Sequence, residues 1–284
     1  MTAAPPLSSA ERFKQLVAGP DEEIRLAEAA LLIASDEYRN LDVAAYLARL
    51  DAMAASFKRR LWPDISPADV IVRLNRFLFD EHGFTGNADD YYDPRNSFLN
   101  EVLDRKLGIP LTLGLIYIEI GQRIGLPVQG VSFPAHFLVK FRTRKGTVVL
   151  DPYAKGLSLS IDDLRCRIGG LYDGITPTGA HVAAMLGAAS NREILLRMLR
   201  NLKNIYIGNE QWWKALTAAD RIVSIVPDDA VGYRDRAMIY VELECFRAAL
   251  ADFRSYLGKA PAAEDSEMVR RCVVNLQAAT ARLN

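Results

Sequence analysis

His136 and Asp151 are the two residues of this 284-residue chain whose types and spacing best suit acid–base chemistry. His136 lies in a strand-like segment (134–141), and Asp151 follows a second one (147–150). A hairpin between these strands would bring the two side chains close together. An aspartate that accepts a hydrogen bond from one imidazole nitrogen orients the ring and makes the other nitrogen more basic. The alternative is that His136 only fills a half-buried strand position and that Asp151 ends a strand and opens a turn.

Such a pair would serve a thiol nucleophile, which is expected at the start of a nearby helix. The helix-like run over 108–117 instead begins at Pro110, which has no nucleophilic atom. Proline is favoured in the first turn of a helix because its missing N–H would stay unpaired there in any case. We therefore predict no catalytic residue at this position and interpret His136 and Asp151 as a vestigial pair.

Another side chain could in principle replace the missing thiol as the nucleophile. Thr112 and Ser97 are the nearest hydroxyls on predicted helix starts, and Cys166 follows the strands. Ser97 is better explained as a helix cap, and Thr112 as a hydroxyl bonded to a carbonyl one turn back. His136 and Asp151 could also bind a divalent ion together with a helix carboxylate, but the three histidines are not spaced as ligand pairs. We expect neither a metal site nor a cofactor.

The composition argues against several classes of partner. Lys plus Arg and Asp plus Glu number 35 each, so neither nucleic acid nor an anionic membrane is an expected partner. The longest apolar run (111–118) is too short to cross a bilayer, and the first residues lack the features of a signal peptide. Three cysteines far apart in the sequence indicate free thiols in a reducing compartment. We expect a cytoplasmic protein.

Residue patterning predicts an α+β domain over 21–180, preceded by a flexible segment over 1–20. Apolar periodicity predicts helices at 22–35 and 42–61. Ser66, Pro67 and Asp69 are typical of a helix start, and that helix should end near residue 81. Further helices are predicted at 94–108, 109–123 and 161–168. Strands at 128–131, 136–142 and 147–150, with a turn at 143–146, would form a small antiparallel sheet, and a linker is expected over 169–179.

Beyond residue 190 the pattern is all helical and has a period of 34 residues. Small residues at tight helix crossings and a proline at the end of the unit are typical of tetratricopeptide repeats at this period. The equivalent pairs are Tyr206 and Tyr240, Ala215 and Ala249, Ala219 and Phe253, and Pro227 and Pro261. We predict a tetratricopeptide-like domain over 191–284. Lys203 stands where a small residue is expected, and Trp212 and Trp213 are expected to pack between helices.

Four motifs resemble a known protein family: residues 96–103 (NSFLNEVL), 108–113 (GIPLTL), 133–139 (FPAHFLV) and 150–153 (LDPY). Residues 108–153 resemble the core of the transglutaminase-like cysteine-protease superfamily. Its histidine and aspartate are matched by His136 and Asp151, and its helix-start cysteine by Pro110. From about residue 22 to the end, the chain is similar to the SirB-type bacterial regulator family, which joins such a domain to carboxy-terminal tetratricopeptide repeats.

The resemblance implies a transglutaminase-like fold with a cleft at His136, and it implies an activity less directly. It favours Asn96, Asn100, Glu101 and Thr112 as residues that line this cleft, although the first three could instead cap and solvate their helix. The leading hypothesis is a non-catalytic protein- or peptide-binding or regulatory module, with the helical repeats as a second interaction surface. One alternative is a hydrolase or acyl-transferase that uses the pair with water or a hydroxyl. Another is a helical scaffold with a filled cleft. The oligomeric state stays open.

Overall fold

The computed structural model describes residues 7–143, 146–169 and 177–282. By its internal contacts the chain divides into two compact units, Met1–Leu195 and Leu196–Asn284. Residues 144–145 of the predicted turn and 170–176 of the predicted linker lie outside the described residues. No helix in the described part of the chain is both long and apolar enough to span a membrane.

The described helices of the first unit are α1 (Ser9–Ala18), α2 (Leu26–Ala34), α3 (Val43–Lys58), α4 (Pro67–Asn75), α5 (Leu99–Arg105), α6 (Pro110–Arg123), α7 (Ile161–Gly169) and α8 (Gly179–Ala184). Helix α9 (Asn191–Gly208) spans the boundary and is followed by α10 (Trp212–Ile225), α11 (Ala230–Glu242), α12 (Phe246–Lys259) and α13 (Ser266–Arg282). The strands are β1 (Thr85–Gly86), β2 (Leu107–Gly108), β3 (Gln129–Val131), β4 (Leu138–Thr143), β5 (Gly146–Asp151) and β6 (Leu157–Leu159).

Helix α1 lies within the segment over 1–20 that was expected to be flexible. The Ser8 hydroxyl accepts a hydrogen bond from the Glu11 backbone N–H at 3.2 Å, and the Glu11 carboxylate accepts one from the Ser8 backbone N–H at 2.8 Å. This reciprocal capping box satisfies two backbone donors at the helix start. Phe13 and Val17, one turn apart, are buried. The expectation of a flexible start is therefore wrong for residues 9–18, where one apolar pair is enough to hold the helix.

Helix α6 is the centre of the first unit, and residues 110–121 of it are buried. The prediction of an apolar helix that starts at Pro110 and packs on the sheet agrees with this position. Two glycines allow the close approach: a Cβ on Gly114 would lie 2.6 Å from the Phe137 ring, and one on Gly121 would lie 2.6 Å from a Val128 methyl group. The strands and the segment before β4 are thus packed directly against the backbone of α6.

The main sheet is antiparallel, as predicted, in the order β3-β4-β5-β6. Its register pairs Val131 with Leu138, Val139 with Leu150, and Leu150 with Ser158. Strand β6 was not predicted, nor was the two-residue parallel pair of β1 and β2. These strands are too short to show a period of two in the sequence. A buried cluster on this sheet also includes Leu164 and Ile168 of α7, so that α7 covers part of the sheet.

Two predicted helices are interrupted. Helix α4 continues into a π-helical segment, Arg76–Glu81, which ends at His82 as expected. The predicted helix over 94–108 begins as a 3-10 turn, Pro94–Ser97, and is broken at Phe98, where the backbone is extended with φ −94° and ψ 124°. Helix α5 follows and ends at Lys106, which has φ 65°. Asn96 and Asn100 therefore do not lie on one continuous helix.

The second unit repeats its backbone at the interval read from the sequence. Helices α10 and α12 begin 34 residues apart, at Trp212 and Phe246, and end 34 residues apart, at Ile225 and Lys259. The turns before these helices close with the same 2.8 Å hydrogen bond, from Gln211 N to Tyr206 O and from Cys245 N to Tyr240 O. Glu210 and Glu244, which precede the donors, both have φ 56°. The period of the sequence is therefore a period of the backbone.

Two side chains of this unit, Lys203 and Trp213, were singled out in the sequence. Lys203 is buried in place of a small residue, and its ammonium donates to Asp235 at 2.5 Å. One period later, the equivalent position is the fully buried Ala237. Trp213 is 65% exposed, so the expectation that it packs between helices is wrong.

Candidate functional site around His136 and Asp151

His136 is held by a tight turn that precedes β4. The His136 backbone N–H donates to Phe133 O at 3.1 Å, with Pro134 and Ala135 between them. Ala135 has φ 53°, and a positive φ after a proline is typical of a type II turn, where this position favours glycine. The predicted strand over 136–142 therefore starts two residues late, at Leu138. An alanine in the left-handed region, directly before the histidine, stores backbone strain at this point.

The structure brings the two predicted residues together. His136 Nε2 lies 2.9 Å from Asp151 Oδ1, and the His136 side chain is 19% exposed. The pairing of Val139 with Leu150 places Asp151 level with Leu138, and the turn folds His136 back over it. Because Nε2 faces Asp151, Nδ1 points away from the carboxylate. Among the described residues, Asp151 is the only hydrogen-bond partner of the ring.

Asp151 is 1% exposed, and both of its oxygens are engaged. Oδ1 also accepts hydrogen bonds from the backbone N–H groups of Tyr153 at 3.0 Å and Ala154 at 3.3 Å, while Oδ2 accepts one from Arg167 Nη1 at 2.6 Å. Burial raises the pKa of this carboxyl, but the hydrogen bonds and charges of His136 and Arg167 outweigh burial and lower the pKa below its ordinary value. Asp151 is therefore ionised at neutral pH.

Arg167 is a member of the site that the sequence analysis missed. It lies on α7, and its side chain is 34% exposed. Leu164 and Ile168 of the same helix are buried against the sheet. A residue three positions after Leu164 lies on the same helix face. The sequence spacing could therefore have placed Arg167 on the sheet side of α7. It could not predict the contact with Asp151, because the sequence does not show that α7 covers the sheet beside β5.

Pro110 is the first residue of α6 and is buried. Phe137, the residue after His136, packs its ring on Gly114, which lies one turn after Pro110 on α6. In the described ranges, no serine, threonine or cysteine forms a hydrogen bond with the His136 ring. Cys166, the alternative thiol, is exposed on α7.

Thr112 and Asn96 are buried and bonded to backbone rather than to His136. The Thr112 hydroxyl donates to Asn96 O at 2.7 Å and accepts from the Ile109 N–H at 3.1 Å. The predicted bond to a carbonyl one turn back is also present, because the Thr112 hydroxyl shares its proton between Asn96 O and Ile109 O, the latter at 3.2 Å. The Asn96 side chain donates to Asp90 O at 2.7 Å and accepts from Asn87 at 3.1 Å. Asn96 therefore holds the loop over 87–93 in place, and Thr112 in turn binds the backbone of Asn96.

The other predicted residues have different surroundings. Asn100 and Ser97 are buried, and Asn100 Oδ1 and Ser97 Oγ have no hydrogen-bond partner in the part of the chain that the structure describes. Ser97 is therefore not the helix cap that was expected. The cap of its 3-10 turn is Asp93, which accepts from the Arg95 N–H at 2.9 Å. Glu101 lies beside Tyr38, where burial and then the Glu101 charge raise the pKa of the phenol.

Three tyrosines extend outward from His136, and we call them the aromatic rim (Tyr91, Tyr92 and Tyr153). Tyr153 is edge-on to the imidazole, with ring centroids 6.2 Å apart. Tyr91 contacts Tyr153 at 6.3 Å and Tyr92 at 5.3 Å between centroids. Tyr91 is 38% and Tyr92 is 76% exposed. Together with Arg167, the rim, His136 and Asp151 form what we call the His136 site.

A separate cavity of about 660 Å³ lies between the start of α2, α6 and β3, and none of its lining residues belongs to the His136 site. Two buried carboxylates line it: Glu119, which accepts a hydrogen bond from the Ala27 N–H at 2.9 Å, and Glu28, which pairs with Arg12 and Arg25. Arg123 contacts both Glu119 and Asp51. These polar groups cap α2 and pair with each other, which accounts for them without a ligand. The chemistry therefore favours the His136 site over this cavity.

Comparisons with known proteins match both units. The profile described as Transglutaminase-like superfamily matches residues 44–200, and a tetratricopeptide repeat profile matches residues 202–273. A UPF0162 protein of Xylella fastidiosa is 38% identical over 268 residues, which cover 93% of this chain and 94% of that protein. Protein SirB1 of Salmonella typhimurium is 28% identical over 206 residues, which cover 72% of this chain and 76% of that protein. The predicted fold class and the SirB-type resemblance are confirmed.

Among solved structures, menin aligns with 95% of this chain and 75% of its own chain, at 12% identity and a TM-score of 0.37. Its structure is described as revealing the binding site for Mixed Lineage Leukemia protein. A TM-score this low carries no argument about the present site.

Proposed function

The chain belongs to the transglutaminase-like superfamily, and on that premise we propose that it is a non-catalytic member whose His136 site binds a peptide or a segment of a partner protein. The helical repeats provide a second recognition surface. The chain then acts as an interaction or regulatory module, in which each unit contributes one binding surface.

The observation that carries this proposal is the mismatch between an intact acid–base pair and its missing nucleophile. His136 and Asp151 are 2.9 Å apart, but the helix start holds Pro110. Acyl transfer to a protein thiol needs a sulfur atom beside the base. The described residues also offer no hydroxyl or thiol bonded to the imidazole. The ring, which is 19% exposed, is therefore free to form a hydrogen bond with a ligand.

The aromatic rim supports a peptide as this ligand. Tyrosine provides a large contact area with few rotatable bonds, together with a hydroxyl that can bind backbone groups. Tyr92 is 76% exposed and lies three ring contacts away from the imidazole, through Tyr91 and Tyr153. An extended peptide could thus contact the rim and reach His136.

The repeats support a second surface because stacked helical hairpins form extended surfaces that bind other proteins. In this unit Trp213 is 65% and Met238 is 46% exposed. Tryptophan is enriched among the residues that contribute most to protein interfaces. We therefore place the second recognition surface on this helical unit, with Trp213 as its first residue to test.

The test measures binding and turnover on the full-length protein. We expect peptides from a random library to be retained by the wild-type protein and released by His136→Gln. Arg142→Gln, which removes an exposed charge of β4, should retain the same peptides and serves as the matched control. Peptide-amine transfer and peptidase turnover should stay at the level of buffer. Robust turnover that disappears in His136→Gln would overturn the proposal.

A hydrolase that activates water is the second candidate, and one observation favours it. The ionised Asp151 can orient His136 as a general base for a water molecule. This function predicts saturable hydrolysis of peptide esters or amides that is lost in both His136→Gln and Asp151→Asn. Thr112→Val should leave that hydrolysis unchanged, because the Thr112 hydroxyl is bonded to backbone groups. Activity lost on Thr112→Val would instead identify a hydroxyl nucleophile.

A further inference from the structure

We propose that the ligand of the His136 site carries a free carboxylate, which His136 and Arg167 bind together. This inference rests on the proposed function and names the chemistry that the site recognises. It follows from the way Asp151 holds these two groups and from the donors that they leave unused.

Asp151 brings the two basic groups side by side. Its Oδ1 contacts His136 Nε2 at 2.9 Å, and its Oδ2 contacts Arg167 Nη1 at 2.6 Å. The carboxylate is buried and also accepts two backbone N–H groups, so its position is fixed by four partners. The imidazole and the guanidinium are therefore held on the two oxygens of one carboxylate before any ligand binds.

Each basic group keeps nitrogen atoms that Asp151 does not use. A guanidinium has five N–H donors, and Arg167 forms one hydrogen bond within the described ranges of the chain. Its side chain is 34% exposed, and that of His136 is 19% exposed. Arginine binds carboxylates through two parallel N–H donors where its geometry allows. An incoming carboxylate can thus contact Arg167 from solvent and His136 through Nδ1.

Protonation of His136 sets the strength of the second contact. In the neutral ring that donates from Nε2 to Asp151, Nδ1 has a lone pair and repels a carboxylate. In the protonated ring Nδ1 donates, so an anionic ligand binds together with a proton. The charged and titratable groups around the ring are Asp151 on β5, Tyr153 in the following turn, and Arg167 on α7 through Asp151. The pKa of Asp151 is lowered, and burial followed by the Asp151 charge raises the pKa of Tyr153, so neither of these two groups changes its charge near neutral pH.

A peptide can supply this carboxylate from its C-terminus or from an Asp or Glu side chain. Three random peptide libraries of equal length separate these sources. The first has free C-termini and no acidic residues, the second has amidated C-termini and no acidic residues, and the third has amidated C-termini with glutamate allowed. Each is passed over immobilised full-length protein at about pH 5.5 and about pH 8, and retained peptides are identified by mass spectrometry.

We expect the first or the third library to be retained and the second to pass through. Dissociation constants of synthesised hits should rise by about 10- to 100-fold in Arg167→Gln, because a charged hydrogen-bond partner is lost. Arg167→Lys should recover part of this loss. Arg142→Gln removes an exposed positive charge of β4 and is the matched control, with unchanged binding expected. Wild-type binding should be weaker at about pH 8 than at about pH 5.5, and this difference should disappear in His136→Gln.

The outcomes separate this inference from the function on which it rests. If the second library is retained as well as the others and is released by His136→Gln, peptide binding stands and the carboxylate inference is overturned. Unchanged binding of acidic hits to an Arg167→Gln protein that unfolds at the wild-type urea concentration also overturns it. If the wild-type protein retains no library at either pH, both the inference and the proposed function fail.

Discussion

Two clusters of arginine and aspartate, one in each unit, use the same residue types in different ways. In the helical repeats, Arg236 donates to Asp252 at 2.6 and 2.8 Å and to Asp220 at 2.9 Å, and its side chain is 18% exposed. In the first unit, Arg167 donates once to Asp151 and is 34% exposed. In the helical repeats, two aspartates accept the hydrogen bonds of one arginine. In the first unit, one aspartate accepts hydrogen bonds from an arginine and a histidine.

This difference separates a structural role of Arg236 from the binding role that we propose for Arg167. Arg236 joins α11 to α10 and α12 with all three of its nitrogens, so it has little capacity left for a ligand. Arg167 and His136 hold one carboxylate, and each keeps nitrogen atoms that this carboxylate does not use. An arginine whose N–H groups are mostly bonded within the fold contributes to packing specificity. An arginine that keeps unused N–H groups beside exposed aromatic rings is available to bind a ligand.

The largest effect should come from Asp151→Ala, which leaves His136, Arg167 and two backbone N–H groups without their partner. We expect a loss of about 3–5 kcal/mol in the free energy of unfolding, measured with urea. Asp162→Ala is the matched control, because the Asp162 side chain is 84% exposed in its pair with Arg165. Its removal should cost less than about 1 kcal/mol. Equal losses in the two variants would contradict the central place of Asp151.

The same carboxylate predicts a dependence of stability on pH. The pKa of Asp151 is lower in the folded chain than its ordinary value of 3.8, so ionised Asp151 stabilises the fold. Its contribution is fully present above that ordinary value and is lost as the pH falls through the lowered pKa of the folded state. The difference in unfolding free energy between wild type and Asp151→Asn should therefore be constant near neutrality and shrink in acid. A difference that grows in acid would contradict the lowered pKa.

Removing each arginine in turn tests the comparison directly. Arg236→Gln leaves the buried Asp252 and the half-buried Asp220 without their shared partner and should cost about 2–4 kcal/mol in unfolding free energy. Arg167→Gln should cost only about 1 kcal/mol, since His136 and two backbone groups still bind Asp151. Peptide binding should show the reverse order, with the large loss in Arg167→Gln. If both variants lose stability equally, the distinction between the two clusters fails.

The next largest effect should come from displacing Tyr153 of the aromatic rim. A Cβ on Gly86 would lie 2.3 Å from a Tyr153 ring carbon, so Gly86→Ala must displace this ring from the imidazole. We expect a loss of about 1–3 kcal/mol in stability and weaker peptide binding at the His136 site. Gly187→Ala is the control, because a Cβ there meets no atom within 4 Å. Peptide affinity unchanged in Gly86→Ala would remove Tyr153 from the binding surface.

The parts of this molecule that sequence predicts well have strong local signals. The 34-residue spacing of Tyr206 and Tyr240 carries over to the turns of the backbone, because each repeat meets the same neighbours. The contact of His136 with Asp151 follows from two adjacent strands. In both cases the interacting residues lie within one supersecondary element.

The missed parts depend on contacts between elements that are distant in sequence. Arg167 reaches Asp151 only because α7 covers the sheet, and Asn96 binds the 87–93 loop only because Phe98 breaks the predicted helix. The Gly86 contact with Tyr153 depends on a strand of two residues. Tertiary packing decides each of these, and no pattern of neighbouring residues records it.

The smallest effects come from glycine at three residues with positive φ, Ala135 before His136 and Glu210 and Glu244 in the repeats. Each substitution should stabilise its unit by about 0.5–1 kcal/mol, because relief of left-handed strain exceeds the added freedom of the unfolded chain. Ala251→Gly, within α12, is the control and should destabilise by about 1 kcal/mol. Only Ala135→Gly should also weaken peptide binding, since a looser turn makes His136 more costly to order on binding. Weaker binding in Glu244→Gly as well would show that the repeats and the His136 site share one ligand.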